Sequence, residues 1–344
     1  MSQGLLEFMN PTGPPPFAWL QVEVTTYCNA ACAYCPHTVY RNSWRNRHLA
    51  PETFAAFLPA LQYTDLVYLQ GWGEPLLHPD FFALAKAARA ANCQIGFTTN
   101  GMLLDSDKTV QLIEIDFSVV AFSLAGTGEK NDHLRTGTSY KQIMAAIERL
   151  ASEKERRNCR RPAIHIAYML LKSELEELQR LPSLLSGLGV NEVVISTLDF
   201  VPCEALREEA LFPQNRKEFA WLKALLDATV AEGRKQGFAI HYHLPYRKKK
   251  NRFCTENVLR AAFISAEGLV SPCVFTNLPV GPPPTFIAGG KALPYRRLTF
   301  GDINQEPLTA IWENKSYREF RHAFLSGHPP TTCRTCPKLY GESV

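Results

Sequence analysis

Cys28-Asn29-Ala30-Ala31-Cys32-Ala33-Tyr34-Cys35 is the stretch on which the reading of this chain turns. It sets three cysteines in a C-x3-C-x2-C array directly after a strand-like run, Leu20 to Thr26. Thiolates so closely spaced converge on one metal centre only if the backbone curls around it. The array therefore predicts a metal-binding loop rather than a strand or a regular helix. An iron–sulfur cube takes four thiolates, one per iron. Three ligands with no evident fourth leave one iron open to a ligand that is not protein. A structural zinc loop, with His37 as the fourth ligand, and a disulfide are the alternatives.

With Tyr34 just before its last cysteine, the array resembles the signature of the radical S-adenosylmethionine (SAM) enzymes. The resemblance implies a [4Fe–4S] cluster on Cys28, Cys32 and Cys35, with Tyr34 beside the cofactor. In that family the open iron is chelated by the amino and carboxylate groups of SAM. Reduction, by a partner such as flavodoxin or ferredoxin, then cleaves SAM to methionine and a 5′-deoxyadenosyl radical, which takes a hydrogen atom from the substrate.

A chain of 344 residues accommodates one large domain and a smaller one. Its 46% apolar and 20% charged residues are ordinary for a globular protein with a sizeable core. No apolar run approaches the ~20 residues that span a bilayer, and no basic flank precedes a hydrophobic segment at the N-terminus. Ten cysteines without an export signal point to a reducing compartment and to metal ligation. A soluble cytoplasmic protein is expected. The net charge of +4 does not by itself indicate nucleic acid. The strongest basic run, Arg247-Lys248-Lys249-Lys250-Asn251-Arg252, lacks the interleaved aromatics of a single-strand groove. It reads as a solvated linker between domains or as an attractor for an acidic peptide or phosphorylated substrate.

Residues 1–18, with Pro11 and Pro14 to Pro16, read as an extended lead-in, too short for a separate peptide-recognition domain. Strand-like runs follow at Leu20–Thr26, Leu66–Gln70, Gln94–Thr99, Phe117–Ser123, Ile164–Leu171 and Glu192–Thr197. Helix-like runs lie at Pro51–Leu61, Asp80–Ala91, Ser106–Ile115, Tyr140–Glu155, Glu174–Leu185 and Gln214–Gln236. Repeated strand–helix units imply a parallel sheet with right-handed crossovers. Six units over residues 19–237 predict an α/β fold, an open, partial (β/α)6 TIM-like barrel, which the resemblance also implies. Ligand-binding residues in such barrels collect at the C-terminal strand ends, which is where the cysteine loop falls.

The second strand ends in Gln70-Gly71-Trp72-Gly73-Glu74-Pro75. Paired glycines let backbone groups approach a ligand closely, and Glu74 supplies a carboxylate. This resembles the family's Gly-Gly-Glu motif, which holds the SAM amino group, with Trp72 here separating Gly71 from Gly73. Thr98-Thr99-Asn100-Gly101 looks like the family's Thr-Asn-Gly turn and equally like a plain turn, so no contact is assigned to it. The resemblance further implies that Ser123 and Arg135 reach the SAM carboxylate, a task for which a two-pronged guanidinium suits. His165 or Tyr168 is a lesser candidate for the lumen, depending on which face of the pleat is inward, and Asp199 and Glu204, after the sixth strand, are lesser candidates for a substrate acid or base.

Beyond a possible strand at Phe238–Tyr242, a second cysteine set appears: Cys254, Cys273, Cys333 and Cys336. Cys254 and Cys273 bracket Ala262–Val270, which reads as a hairpin turning at Glu267-Gly268. The Gly268-x4-Cys273 element, the terminal C-x2-C and the segment from Phe300 to Trp312 resemble the auxiliary-cluster domain of a radical SAM subgroup, called SPASM, or twitch in its single-cluster form. Residues 238–344 are thus expected to form a smaller α+β domain holding a second [4Fe–4S] cluster on four thiolates. A four-cysteine structural zinc site is the competing reading. Cys93, Cys159 and Cys203 belong to neither set and read as inert thiols.

These readings predict a radical SAM oxidoreductase whose auxiliary cluster assists electron transfer. Small-molecule dehydrogenation or rearrangement is favoured over peptide or protein maturation. A zinc-stabilised binding protein on a decayed barrel is the non-enzymatic alternative.

Overall fold

The structure, a computed structural model, describes residues 17–251 and 254–344. The proline-rich lead-in up to residue 16 lies outside the described residues, and the first strand already begins at Phe17.

Six parallel strands form the centre of one sheet: β1 (Phe17–Val22), β2 (Thr64–Leu69), β3 (Gln94–Thr99), β4 (Val119–Leu124), β5 (Ala163–Leu170) and β6 (Glu192–Thr197). They lie side by side in chain order, as a partial barrel of βα units requires. The connecting helices are α1 (Pro51–Phe57), α2 (Phe81–Ala90), α3 (Ser106–Glu114), α4 (Tyr140–Arg156), α5 (Leu181–Leu185) and, after β6, α6 (Arg216–Lys235). Side-chain caps set their starts. Asp105 accepts the Lys108 N–H at 2.8 Å and Asn215 the Glu218 N–H at 2.9 Å. In α4, Ile143, Ala146, Ile147 and Leu150 recur at helical spacing and are buried on one face.

One predicted helix is mostly absent. Residues 174–185 form short 3-10 turns followed by the five residues of α5. Pro182 lacks an N–H and is accepted only in the first turn of a helix, so a continuous helix through it is disfavoured.

The sheet continues past both edges of the six strands. β7 (Ala239–Leu244) pairs in parallel with β6, and β8 (Ala261–Ile264) in parallel with β1. β8 turns back as β9 (Leu269–Ser271), the hairpin expected around Gly268, where φ of +90° favours glycine. A second hairpin, β10 (Thr285–Ala288) and β11 (Lys291–Pro294), stands apart from the main sheet. The sheet ends at its two edges with β12 (Gly301–Asp302) beside β9 and β13 (Glu342–Ser343) beside β7, eleven strands among the described residues. Residues 238–344 thus build both flanks of the barrel sheet. The segment from Phe300 to Trp312 supplies β12 and then α7 (Leu308–Glu313), which leads into α8 (Lys315–Leu325).

Strand alternation decides what faces the lumen. Leu20, Val22, Val67, Leu69, Ile95, Phe97, Val120, Phe122, Ile164, Ile166, Val193 and Ile195 form the buried core under the helices. The alternate positions include Gln21, Gln70, Thr98, Ser123, Met169 and Ser196, which line a cavity at the C-terminal strand ends. A core of apolar residues on one face and a polar, open lumen on the other is what leaves room for a ligand.

Candidate active site

The cavity at the strand ends has a volume of about 410 Å³. Cys28, Cys32, Cys35, Tyr34, Gly71, Gly73, Glu74, Ser123 and Arg135 all line it. The predicted cofactor residues therefore come from four separate segments of the chain and meet in one place.

The cysteine loop is held by a short ladder in which Ala31–Cys32 pairs antiparallel with Arg135–Thr136. That ladder brings Arg135 against the cysteines from 100 residues away in sequence. Arg135 donates from Nη1 to the Tyr34 hydroxyl at 2.6 Å, and its Nε is buried with no hydrogen-bond partner among the described residues. A buried guanidinium N–H without an acceptor is costly, and an anionic ligand would supply one. Burial first, then the charges of Glu74 and Cys32, push the Cys28 thiol up to about 11, and burial with the charges of Cys32 and Cys28 pushes Cys35 up to about 12. Thiols in such a pocket ionise when a cation is present to offset their charge, so the donor set fits iron. Among the described residues no three His, Cys, Asp or Glu side chains already close around a single-ion position. His37 packs edge-on to Trp44, with ring centroids 5.2 Å apart, and is not part of the cavity lining.

Glu74 is buried and already engaged by the protein. Oε1 accepts the Thr99 hydroxyl at 2.7 Å and the Leu76 N–H at 3.3 Å, and Oε2 accepts the Asn100 N–H at 2.7 Å. The Thr-Thr-Asn-Gly strand end, to which the sequence reading assigned no contact, is thus the support of this carboxylate. Three of about four acceptor positions are used, leaving one for a further donor. Burial raises the Glu74 pKa, and these hydrogen bonds act against the rise.

The glycines of the same turn serve the chain's own packing. A Cβ on Gly73 would lie 2.4 Å from the Thr25 carbonyl oxygen and 2.5 Å from that of Tyr27. A Cβ on Gly71 would meet the Glu23 side chain at 2.3 to 2.6 Å. Trp72, between them, donates from its indole to the Asn277 carbonyl at 3.2 Å and packs edge-on to Phe275.

Cys254, Cys273, Cys333 and Cys336 line a second cavity of about 870 Å³. Burial pushes all four thiols up, Cys333 to about 12. Cys254 feels the charge of Cys336 and Cys333, and Cys273 that of Cys254 and Cys333, so the four are neighbours. This too is a donor set suited to a cluster.

The two cavities share a wall of Leu198, Asp199, Phe200, Glu256 and Phe275. Lys338, two residues past Cys336, is half-buried against that wall between Asp199 (3.1 Å) and Glu256 (3.2 Å). Sequence reasoning placed Asp199 near the site but missed Glu256 and Lys338, since neither belongs to a motif. Tyr168 also lines the smaller cavity. His165 instead faces Glu192 at 3.8 Å, opposite it in the β5–β6 register, and Glu204 pairs with Arg207 at 2.9 Å. Cys93 is buried and its thiol donates to the Leu61 carbonyl at 3.2 Å; Cys159 and Cys203 line neither cavity.

The basic run is divided among tasks. Arg247 lines the larger cavity, with its guanidinium 5.0 Å over the Phe212 ring. Lys249 pairs with Glu342 at 2.7 Å, and Lys250 donates to the Gly327 carbonyl at 2.9 Å, so both tie down the C-terminal segment. Arg252 lies outside the described residues. Among the described residues no helix is long and apolar enough to cross a membrane.

Residues 254–337 match an iron–sulfur cluster-binding domain, SPASM. The chain is 24% identical over 314 residues to the tungsten-containing aldehyde ferredoxin oxidoreductase cofactor-modifying protein of Pyrococcus furiosus, covering 88% of this chain and 83% of that one. It is 30% identical over 132 residues to the mycofactocin maturase MftC of Mycobacterium ulcerans, covering 38% and 35%. Among solved structures, native anSMEcpe with bound AdoMet superposes with a TM-score of 0.66 at 17% identity, covering 93% of this chain and 88% of that one. Residues 22–201, more than half of the chain, match the radical SAM superfamily, and the chain belongs to that family as a SPASM-domain member using SAM and iron–sulfur clusters.

Proposed function

We propose that this enzyme holds its SAM-binding cluster on Cys28, Cys32 and Cys35 and a single auxiliary cluster on Cys254, Cys273, Cys333 and Cys336, and oxidises or rearranges a small molecule bound between them. The observation that carries this reading is the shared wall: the cavity of the cysteine triad and that of the quartet meet at Leu198, Asp199, Phe200, Glu256 and Phe275. When bound, the reduced cluster and SAM supply a 5′-deoxyadenosyl radical, and an auxiliary cluster supplies an acceptor for the electron left on an oxidised substrate. A flavodoxin or ferredoxin is the proposed reductant.

The chain's own residues bind and orient. Arg135 offers its free Nε–H to the SAM carboxylate, and Ser123, on the lumen side of β4, stands within the same lining. Glu74 has one acceptor position left for the SAM ammonium. Tyr34 holds the guanidinium in place through its hydroxyl. Leu198, Phe200 and Phe275 give the wall an apolar surface that keeps water from a reactive radical.

The cover over the larger cavity favours a small molecule. Hairpin β10–β11 lines it and is pinned to the loop after β6, where the Ile287 N–H donates to the Val201 carbonyl at 2.8 Å. The Tyr40 hydroxyl joins Pro202 and Thr285 from below, within 2.8 Å of both carbonyls. Peptide or protein maturation is the second reading, and one relative is named a maturase. The test is anaerobic incubation of reconstituted enzyme with reductant, SAM and panels of small molecules and peptides, following 5′-deoxyadenosine. Acceleration by a small molecule supports the first reading, and acceleration only by peptides replaces it with the second. No 5′-deoxyadenosine under any condition overturns both.

A further inference from the structure

Glu23 belongs to none of the motifs read from the sequence, yet its side chain is buried with 1% exposure between two functional segments. It follows Val22 at the end of β1, on the lumen side. Oε1 accepts the Trp72 N–H at 2.9 Å, and Oε2 accepts the Ala266 N–H at 3.2 Å. Gly71 leaves the space that the carboxylate occupies. Ala266 stands in the turn between β8 and β9, the hairpin that runs on to Cys273. Trp72 is tied a second time to the same segment through Asn277, four residues past Cys273. One carboxylate therefore grips both the turn carrying Gly71, Gly73 and Glu74 and the hairpin leading to a thiol of the quartet.

A glutamate is suited to this place for a reason of donor count. Both partners are backbone N–H groups, one at each oxygen, so each end of the side chain must accept. A glutamine presents one acceptor and one NH2 group, which would face an N–H and leave it unpaired.

We propose that Glu23 is a positioning residue that couples the auxiliary-cluster segment to the SAM-binding turn, so that filling the auxiliary site strengthens SAM binding. The proposal rests on reading residues 70–74 as part of the SAM site. Coupling of this kind is reciprocal and is measured as a change in one ligand's affinity when the other site is altered.

The experiment measures SAM affinity in the reconstituted enzyme, together with the electron paramagnetic resonance spectrum of the reduced triad cluster before and after SAM. Glu23→Gln should keep the wild-type iron content, bind SAM about tenfold more weakly, and show a smaller spectral change on SAM addition. Gly71→Ala crowds the same carboxylate from the other side and should reproduce the effect, which also covers the case of a Glu23→Gln protein that does not fold. Cys273→Ala should weaken SAM binding in the wild-type background and add nothing in the Glu23→Gln background. Wild-type affinity and spectrum in both Glu23→Gln and Gly71→Ala would overturn the proposal, as would simple additivity of the Glu23 and Cys273 substitutions. Failure of the wild-type enzyme itself to bind SAM would refute the underlying reading of the turn.

Discussion

Arg135 and Tyr34 are joined by a 2.6 Å hydrogen bond across 101 residues of sequence, with the guanidinium as donor and the phenol oxygen as acceptor. The ladder between Ala31–Cys32 and Arg135–Thr136 makes this possible, because it fixes the cysteine loop and the post-β4 loop in register. The aromatic residue of the cysteine signature is thereby also the support of the cationic residue.

The two members of that pair should fail differently. Arg135→Ala removes a buried cation placed beside the triad, and SAM affinity should fall about tenfold to a hundredfold, the worth of a charge-assisted hydrogen bond. Tyr34→Phe leaves the guanidinium but not its tether, and a smaller loss is expected. Equilibrium binding to reconstituted enzyme measures both, and wild-type affinity in Arg135→Ala would remove Arg135 from the site.

Iron content separates the two cysteine sets. If each set holds a cube of four irons, wild type carries about eight per chain. Replacing Cys28, Cys32 and Cys35 by Ala should leave about four and abolish SAM cleavage. Zinc without inorganic sulfide in anaerobically prepared protein would instead favour a structural metal.

Gly73 should resist substitution for a reason unrelated to ligand. The Cβ of Gly73→Ala would meet two backbone oxygens, of Thr25 and Tyr27, and neither can rotate away. Overpacking of this kind costs about 1–3 kcal/mol. Denaturant unfolding of the apoprotein should show that loss; unchanged stability would mean that the turn yields easily.

Glu23 should imprint a pH dependence on stability. Burial raises its pKa from 4.5 to about 7 in the folded protein, opposed by the Trp72 and Ala266 N–H groups and by Arg297, and assisted by Glu267. The folded state therefore binds the proton more tightly than the unfolded one. Its contribution is fully present below about pH 4.5 and declines as pH rises through about 7. The full loss is on the order of 3 kcal/mol. Urea unfolding between these limits should reveal the decline, and Glu23→Gln should flatten it.

Lys338 stands between Asp199 and Glu256, with its ammonium 3.1 and 3.2 Å from their carboxylates. Lys338→Met would leave two carboxylates facing each other in the wall between the cavities. Breaking a fully buried pair from one side costs about 3–5 kcal/mol, and this partly buried one should cost less. Asp199→Asn combined with Lys338→Met should recover part of it, and unfolding of the single and double variants tests this.

The βα order, the polar strand ends and both cysteine sets were readable in the chain because each is a local signal. Strand and helix periodicities depend on neighbours a few residues apart, and thiol spacing within a loop is set by a few bonds. The resemblance then named residues to be brought together, and Tyr34, Glu74, Ser123 and Arg135 do line one cavity. The helix expected over 174–185 failed at Pro182, where a local rule outweighed the apolar pattern.

Other relationships had no local trace. The support of Glu74 by Thr99 and Asn100 depends on β2 and β3 lying side by side, and the Glu23 contacts span 49 and 243 residues. Asp199, Glu256 and Lys338 meet because residues 238–344 fold back along both edges of the barrel sheet. The sequence alone determined which chemistry the chain can carry, since thiols, glycines and carboxylates are covalent facts with short-range spacing. Only the tertiary structure decided which of them touch, because long-range hydrogen bonds and ion pairs follow from strand register and burial rather than from proximity along the chain.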